Sequence, residues 1–198
     1  MPHSPNQKAE TRDRILKSAR HLFNRRGFVE VTIDEIMADA GLTRGGFYKH
    51  FSTKEELYAE AVTQFGCDGP QGWQQAHIHP SAQGAELARM IVEAYLSDEH
   101  LSDWDGSCPM IGLPSDAARA GETVKAAYRQ VLEMMTGAFE ANLPAEGTEP
   151  RQRALALVAL CVGSMVLSRA VDDKGLACDL RKAARDHVLA VSGWGGEM

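Results

Sequence analysis

The sequence lacks the features typical of a membrane protein, a secreted protein or a protein with a structural metal site. Its 198 residues contain no uninterrupted apolar run approaching the roughly 18 residues of a membrane span. The start of the chain has no apolar segment of the kind a secretory signal needs. The 4 cysteines form no CxxC pair, which argues against a structural zinc site. We therefore expect a cytoplasmic protein with no membrane segment, metal or other cofactor.

Strand patterns are scarce as well. No stretch of four or more residues alternates apolar and polar side chains between turn residues. A hydrophobic content of 44% and a charged content of 24% are typical of globular proteins and exclude a disordered chain. Apolar residues instead recur at helical spacing, as in the set Ile15, Leu16, Ala19, Leu22 and Phe23. The predicted fold class is all-α.

Charge is divided unevenly along the chain. The net charge of −6 combines residues 1–54, with ten basic and six acidic side chains, and a remainder with 11 basic and 21 acidic ones. The first part therefore carries +4 and the rest −10. A basic N-terminal unit on an acidic body is typical of a protein that binds a polyanion at one end. A solvated helix face explains the same charge equally well.

Local signals predict where the helices begin and end. Gly27 would cap the first helix, over about 8–26, and Thr32-Ile33-Asp34-Glu35 is a capping box for the second. Gly41 would end that helix, Thr43 would cap a third through Lys49, and Ser52 would start a fourth. Breaker residues then fill 66–84, with Gly66, Gly69 and Pro70 ending the fourth helix early unless it resumes near Gln71. Beyond them we predict helices at about 85–98, 116–142, 151–172 and 176–191.

Two short helices around Gly41-Leu42 form a helix-turn-helix pattern. The second begins Arg44-Gly45-Gly46, although each glycine costs roughly 1 kcal/mol of helix propensity. Because glycine has no side chain, the backbone at these positions could approach DNA closely while Arg44 reaches a guanine in the major groove. Phe47 and Phe51 would anchor the helix to the core.

In these residues the sequence resembles the TetR/AcrR family of transcriptional regulators. The resemblance covers about residues 10–60, through Ala-x-x-Leu-Phe-x-x-x-Gly-Phe, Thr-x-x-x-Ile-x-x-x-Ala-Gly and Gly-Phe-Tyr-x-His-Phe-x-x-Lys-Glu-x-Leu. It implies an N-terminal three-helix DNA-binding domain, over 1–54 and extending into the linking helix to about 65. A larger helical domain for effector binding and dimerisation would follow over 66–198.

The resemblance also implies roles for individual residues. The bases and adjoining backbone would be met by Thr43, Arg44, Gly45 and Gly46, and the phosphates by Thr32, Tyr48, Lys49, His50 and Lys54. Family dimers pair their last two long helices, which makes Leu160, Val162, Met165 and Val166 candidates for a homodimer interface. The implied partners are a double-stranded DNA operator and a small-molecule effector.

Candidate sites in the acidic body are less specific. An apolar effector pocket is predicted from Met90, Tyr95, Trp104, Cys108, Met110, Tyr128, Met134 and Met135, although each alone is typical of plain core. Cys108, ahead of a predicted helix, is either a redox or electrophile sensor or a small buried side chain. His77 and His79 in a loop are weak evidence for a metal.

The leading interpretation is a repressor that binds a palindromic operator as a dimer and is released by a small lipophilic or aromatic effector. The first alternative is a thiol-based regulator using Cys108. The second is a small helical thiol enzyme, for which the sequence offers no partner base and no nucleophile motif such as GxSxG. An enzyme is therefore not expected.

Overall fold

A computed structural model describes residues 5–67, 78–79, 81–144 and 149–195. Helices account for all the regular structure in these residues, and none of them lies in a strand, which confirms the all-α prediction. The helices are α1 Pro5–Glu30, α2 Ile33–Asp39, α3 Arg44–Phe47, α4 Lys54–Cys67, α5 Gly84–Tyr95, α6 Asp98–Ser102, α7 Pro109–Gly112, α8 Pro114–Arg119, α9 Glu122–Glu140, α10 Pro150–Ala170 and α11 Lys174–Ser192.

The chain divides into two compact units, and each unit is made of two separate stretches of the sequence. The first takes in the residues up to Phe65 together with Trp104–Val131, and the second takes in the remainder. The predicted DNA-binding segment lies wholly in the first unit. That unit also holds α7, α8 and the beginning of α9, which are segments we assigned to the effector domain from sequence.

The core of the first unit is built on one face of α1. Ile15, Ala19 and Phe23 are almost completely buried, as their spacing predicts, while Leu22 is half-buried. Aromatic rings extend this core, since the ring centroid of Tyr58 lies 4.9 Å from that of Phe23 and 4.7 Å from that of Phe28. This core holds α4 against α1 and supports the short helices between them.

Gly27 separates two helical segments within α1. Its φ of 78° and ψ of 173° are non-helical, so the first helix ends at a kink there and a short second segment runs to Glu30. The N–H of Phe28, just after the kink, donates to Oδ2 of Asp116 in α8 at 2.8 Å. The predicted end of the first helix at Gly27 is therefore confirmed.

The helix predicted over 116–142 is two helices. α8 ends at Arg119 and α9 begins at Glu122, with Ala120 in an extended conformation between them. α4 runs to Cys67, so it passes Gly66, and the question of whether it resumes near Gln71 lies outside the described residues.

α10 and α11 pack against each other in the second unit. Arg181 of α11 is 6% exposed and lies in this unit, with Nη1 donating to the Leu96 carbonyl at 3.2 Å and Nη2 donating to Oδ1 of Asp98 at 2.5 Å. A buried guanidinium is stable only when its donors are satisfied. Arg181 therefore ties α11 to the start of α6.

α10 is buried on one face only. Val158, Cys161 and Met165 are at most 1% exposed, whereas Leu160 is 36% and Leu167 is 54% exposed. Among the described helices, α10 is long and apolar enough to cross a membrane by length and composition alone. A core helix can pass the same test, and polar residues such as Ser164 interrupt the apolar run of α10, as the sequence indicates.

Candidate nucleic-acid interface

The start of α2 is held by the predicted capping box. The N–H of Glu35 donates to Oγ1 of Thr32 at 3.2 Å, and the N–H of Thr32 donates to Oε2 of Glu35 at 2.8 Å. Arg26 adds an ion pair to the same carboxylate at 2.7 Å. The backbone N–H of Thr32, followed by Arg26 and the Thr32 hydroxyl, lowers the pKa of Glu35 to about 2. Thr32 is exposed, but its hydroxyl serves the cap, and a phosphate contact there stays a prediction.

The turn between α2 and α3 has the geometry that its residues predict. Gly41 takes a φ of 66°, in the left-handed region that favours glycine. The N–H of Leu42 then donates to the Met37 carbonyl at 2.7 Å, which closes the turn. Arg14 of α1 donates to the Ala40 carbonyl. These contacts fix the direction in which α3 leaves α2.

α3 presents its first residues to solvent and anchors itself at its end. Phe47 is completely buried and Phe51 is 2% exposed, which confirms them as anchors. The helix ends at Phe47 and is followed by turn residues, so the predicted extension to Lys49 is wrong. Thr43 occupies the N-cap position without a side-chain hydrogen bond to the helix, so it does not cap in the way we expected.

The structure places most of the predicted DNA contacts on this surface. The exposed ones are Thr32, Thr43, Arg44, Gly45, Tyr48 and Lys49, and the half-buried ones are Gly46, His50 and Lys54. Tyr48 is 60% exposed although its ring lies against Phe47, with 5.2 Å between the ring centroids. The surface is therefore one of cationic and polar side chains around a short helix.

The two glycines of α3 are not required by the packing of the protein. A Cβ atom added to Gly45 would meet nothing within 4 Å, and one added to Gly46 would lie 3.5 Å from Cε of Met37, an ordinary contact. Neither residue has a positive φ. The fold therefore gives no reason for the helix propensity lost at these positions.

Lys54 differs from the other cations of this surface. Its Nζ lies 4.3 Å from the centroid of the Phe28 ring. Burial lowers its pKa, while Glu55 and Asp116 act in the opposite direction. No local pattern in the sequence predicts this stacking. The phosphate contact of Lys54 stays a prediction, and the exposed Lys49 is the more accessible cation.

Within the first unit, side chains of α1 also contact residues that are far away in sequence. Nδ2 of Asn24 donates to the carbonyls of Asp105 and Ser107 at 3.2 Å each, and Nε of Arg25 donates to Oδ1 of Asp105 at 2.6 Å. His21 lies 2.8 Å from the same carboxylate oxygen. No motif in the sequence signalled these contacts, because two of them are made to backbone carbonyls.

The eight residues predicted to line an effector pocket are not gathered in one described cavity. Cys108 and Met110 are buried in the first unit, where the Tyr128 hydroxyl donates to the Met110 carbonyl at 3.4 Å. Burial, and then the nearby Cys108, raises the pKa of Tyr128 to about 12. Trp104 of this unit is 42% exposed. In the second unit Tyr95 is buried, Met90 and Met135 are half-buried and Met134 is exposed.

A small cleft of about 220 Å³, counting the space open to solvent, lies in the first unit. None of the eight predicted residues lines it. Its lining residues come from α1, α4 and the segment 107–113, and they are Arg20, Phe23, Asn24, Tyr58, Ala61, Val62, Ser107, Pro109 and Leu113. The cleft is too small to hold a drug-sized effector as it stands.

The cysteines differ in their exposure. Cys108 and Cys161 are completely buried, and burial raises the pKa of Cys161 to about 12. Cys178 is exposed, and the side chain of Cys67 lies outside the described residues. Reactive thiols are partly exposed and have lowered pKa values. The burial of Cys108 therefore favours packing over sensing.

Among the described residues, no group of three or more His, Cys, Asp or Glu side chains could hold a metal ion. His79 lies 2.7 Å from the Ser81 hydroxyl, whereas His77 lies outside the described part of the chain.

Comparison with known proteins identifies the N-terminal unit. Residues 15–61 match the family described as bacterial regulatory proteins, tetR family. This N-terminal segment of the chain is therefore similar to proteins of the tetR family. YdgC of Bacillus subtilis, a transcriptional regulator of the helix-turn-helix type, is 43% identical to the chain over 56 residues, or 28% of this chain and 29% of YdgC. KstR2, a transcriptional repressor of Mycolicibacterium smegmatis, is 36% identical over 64 residues, or 32% of this chain and 31% of KstR2.

The chain spans less than a third of the length of these two relatives. YxaF of Bacillus subtilis extends further, with 25% identity over 84% of this chain and 89% of YxaF. Among solved structures, reduced Escherichia coli NemR has a TM-score of 0.73 at 19% identity, over 90% of this chain and 95% of that one. A SmeT–triclosan complex has a TM-score of 0.62 at 26% identity, over 92% and 91% of the two chains. The chain therefore shares the fold of these two proteins over about nine tenths of its length.

Proposed function

We propose that this chain is a TetR-family transcriptional regulator that binds duplex DNA through α3. The observation that carries the proposal is the combination of two glycines that the fold does not need with an exposed Arg44 at the start of α3. Such glycines allow the backbone to approach the duplex closely, and arginine is the commonest partner of guanine O6 and N7. The +4 charge of residues 1–54 would draw this end of the chain to DNA.

Arg44 and Lys49 have separable roles in this proposal. Replacing Arg44 with Ala removes a base contact, so we expect about ten- to hundred-fold weaker binding to a site selected from randomised duplexes, with a relaxed base preference. Replacing Lys49 with Ala removes a phosphate contact, so all sequences should bind more weakly by a similar factor and the salt slope should fall by about one. Fluorescence anisotropy at several salt concentrations measures both. Equal effects of the two variants on every sequence would contradict the assignment of Arg44.

The regulator would act as a homodimer. Along α10, Ala156, Leu160, Gly163 and Leu167 follow a spacing of four, three and four residues, and none of them is buried. Exposed apolar residues continue on α11 at Leu176 and Val191, which are 47% and 50% exposed. Exposed apolar side chains that follow one face of a helix in this way are typical of a subunit interface. Of the candidates named from sequence, Leu160 lies on this face, Val162 and Val166 are half-buried, and Met165 is completely buried within the chain.

Replacing Leu167 with Glu tests the dimer. Leu167 is 54% exposed, so a single chain should tolerate the carboxylate, while a dimer would have to bury it. We expect light scattering to show a dimer for the wild type and a monomer for this variant. Met134 is 44% exposed and lies outside α10 and α11, so Met134→Glu is the matched control and should stay dimeric. A dimeric Leu167→Glu protein would exclude this surface.

A dimer would place two copies of α3 in successive major grooves of a palindromic operator. A small lipophilic or aromatic effector would release the DNA by favouring a conformation in which the two helices no longer match that spacing. KstR2 is a repressor and SmeT has been seen with triclosan, and both support this direction of regulation for the chain. The repressor role and the cytoplasmic location are parts of the same proposal.

A further inference from the structure

Asp34 and Arg44 form an ion pair on the proposed DNA-binding surface. Nη1 of Arg44 donates to Oδ2 of Asp34 at 2.8 Å, which joins the first turn of α2 to the first residue of α3. The Arg44 side chain is 65% exposed and the Asp34 side chain is 56% exposed. In the described part of the chain, neither side chain has another hydrogen-bonding or ion-pair partner. The pair therefore depends on the relative position of α2 and α3 and on nothing else.

An exposed ion pair of this kind contributes little to the stability of the fold. α2 and α3 are already held by the Gly41 turn and by the burial of Ile36, Met37 and Phe47. The pair does, however, restrict a long side chain that would otherwise sample many rotamers. Its effect should therefore appear in what Arg44 binds and not in whether the protein folds.

The geometry of the pair leaves Arg44 able to read a base. A guanidinium has five N–H donors in a planar fork, and Asp34 uses only Nη1. The Nε and Nη2 edge keeps two parallel donors, which match the O6 and N7 acceptors of guanine. The Asp34 carboxylate also repels phosphate, so it penalises a binding mode in which Arg44 rests on the DNA backbone.

We propose that Asp34 is a positioning residue that sets the base specificity of Arg44. By holding Nη1, it orients the guanidinium toward a base edge and disfavours contact between Arg44 and phosphates. The proposal rests on the proposed function, since it requires that α3 bind duplex DNA. Asp34 would lower the affinity of the surface for DNA of any sequence. The same residue would make the binding selective.

The test compares two variants that each remove one negative charge from α2. Asp34→Asn removes the pair with Arg44, and Asp39→Asn is the matched control because Asp39 is exposed at the other end of the helix. The probes are a duplex selected by the wild type from a randomised pool and a scrambled duplex of the same composition. The readout is the ratio of the two affinities, measured by anisotropy at one salt concentration.

We expect the ratio to fall about tenfold for Asp34→Asn, largely through tighter binding of the scrambled duplex, and to stay within about twofold for Asp39→Asn. In an Arg44→Ala background, Asp34→Asn should change the ratio much less, because no guanidinium remains to be oriented. Equal ratios for the two single variants, with a wild type that selects a defined site, would overturn this inference alone. A wild type that selects no site would overturn the proposed function as well.

Discussion

Gly45→Ala is expected to weaken binding to the selected duplex by about ten- to hundred-fold while leaving the protein at least as stable as the wild type. The added methyl group meets nothing within 4 Å in the protein, so the fold accepts it. Alanine also favours a helix over glycine by about 1 kcal/mol, which should raise the melting temperature by a few degrees. The loss must then come from the DNA, because the methyl group would hold the backbone of α3 away from it.

The control for Gly45→Ala is the same substitution elsewhere. Gly137 lies exposed within α9, and a Cβ atom there would also meet nothing within 4 Å. Gly137→Ala should therefore give the same gain in melting temperature with unchanged DNA affinity. If Gly45→Ala bound the selected duplex as tightly as Gly137→Ala does, close approach at α3 would be excluded.

Gly27→Ala is expected to destabilise the protein by about 2–4 kcal/mol. A φ of 78° with a ψ of 173° lies in a region almost restricted to glycine, which costs an alanine about 1–3 kcal/mol. The new Cβ atom would in addition lie 2.8 Å from Oδ2 of Asp116. That oxygen accepts the Phe28 N–H, so moving it away sacrifices a hydrogen bond worth about 1 kcal/mol.

Thermal unfolding followed by circular dichroism measures this effect, and the melting temperature should fall by about 5–15 °C. Gly121→Ala is the control, because Gly121 has no positive φ and a Cβ atom there meets open space. Adding Asp116→Ala to Gly27→Ala removes the clash, so the double variant should be less destabilised than the sum of the two single variants. Strict additivity would show that Asp116 does not contribute to the cost at Gly27.

The helix-turn-helix could be predicted from the sequence because its signals are local. The Thr32–Glu35 capping box and the Gly41 turn each lie within four residues, and the structure contains both. Phe47 and Phe51 are one helical turn apart, and both are buried. Local signals were less informative about what lies beyond a helix end, since a second helical segment runs from the kink at Gly27 to Glu30 and α3 ends at Phe47, before the predicted Lys49.

Long-range contacts could not be predicted in the same way. Asn24 bonds to the carbonyls of Asp105 and Ser107, and a backbone carbonyl is the same at every position of a sequence. The effector pocket stays a prediction, and it rests on residues chosen by side-chain type alone. Side-chain type does not separate a buried Met110 from an exposed Met134, which only the packing of α7 and α9 decides.

We propose that α3 lies in the major groove with Arg44 on a guanine. Methylation of guanine N7 places a methyl group in that groove, so methylation interference on the selected duplex is a direct test of this contact. We predict that N7 methylation of at least one guanine in the site prevents binding of the wild type, and that the same methylation has little further effect on Arg44→Ala. Wild-type binding that N7 methylation leaves unchanged, or that only methylation of adenine N3 in the minor groove prevents, would contradict the claim.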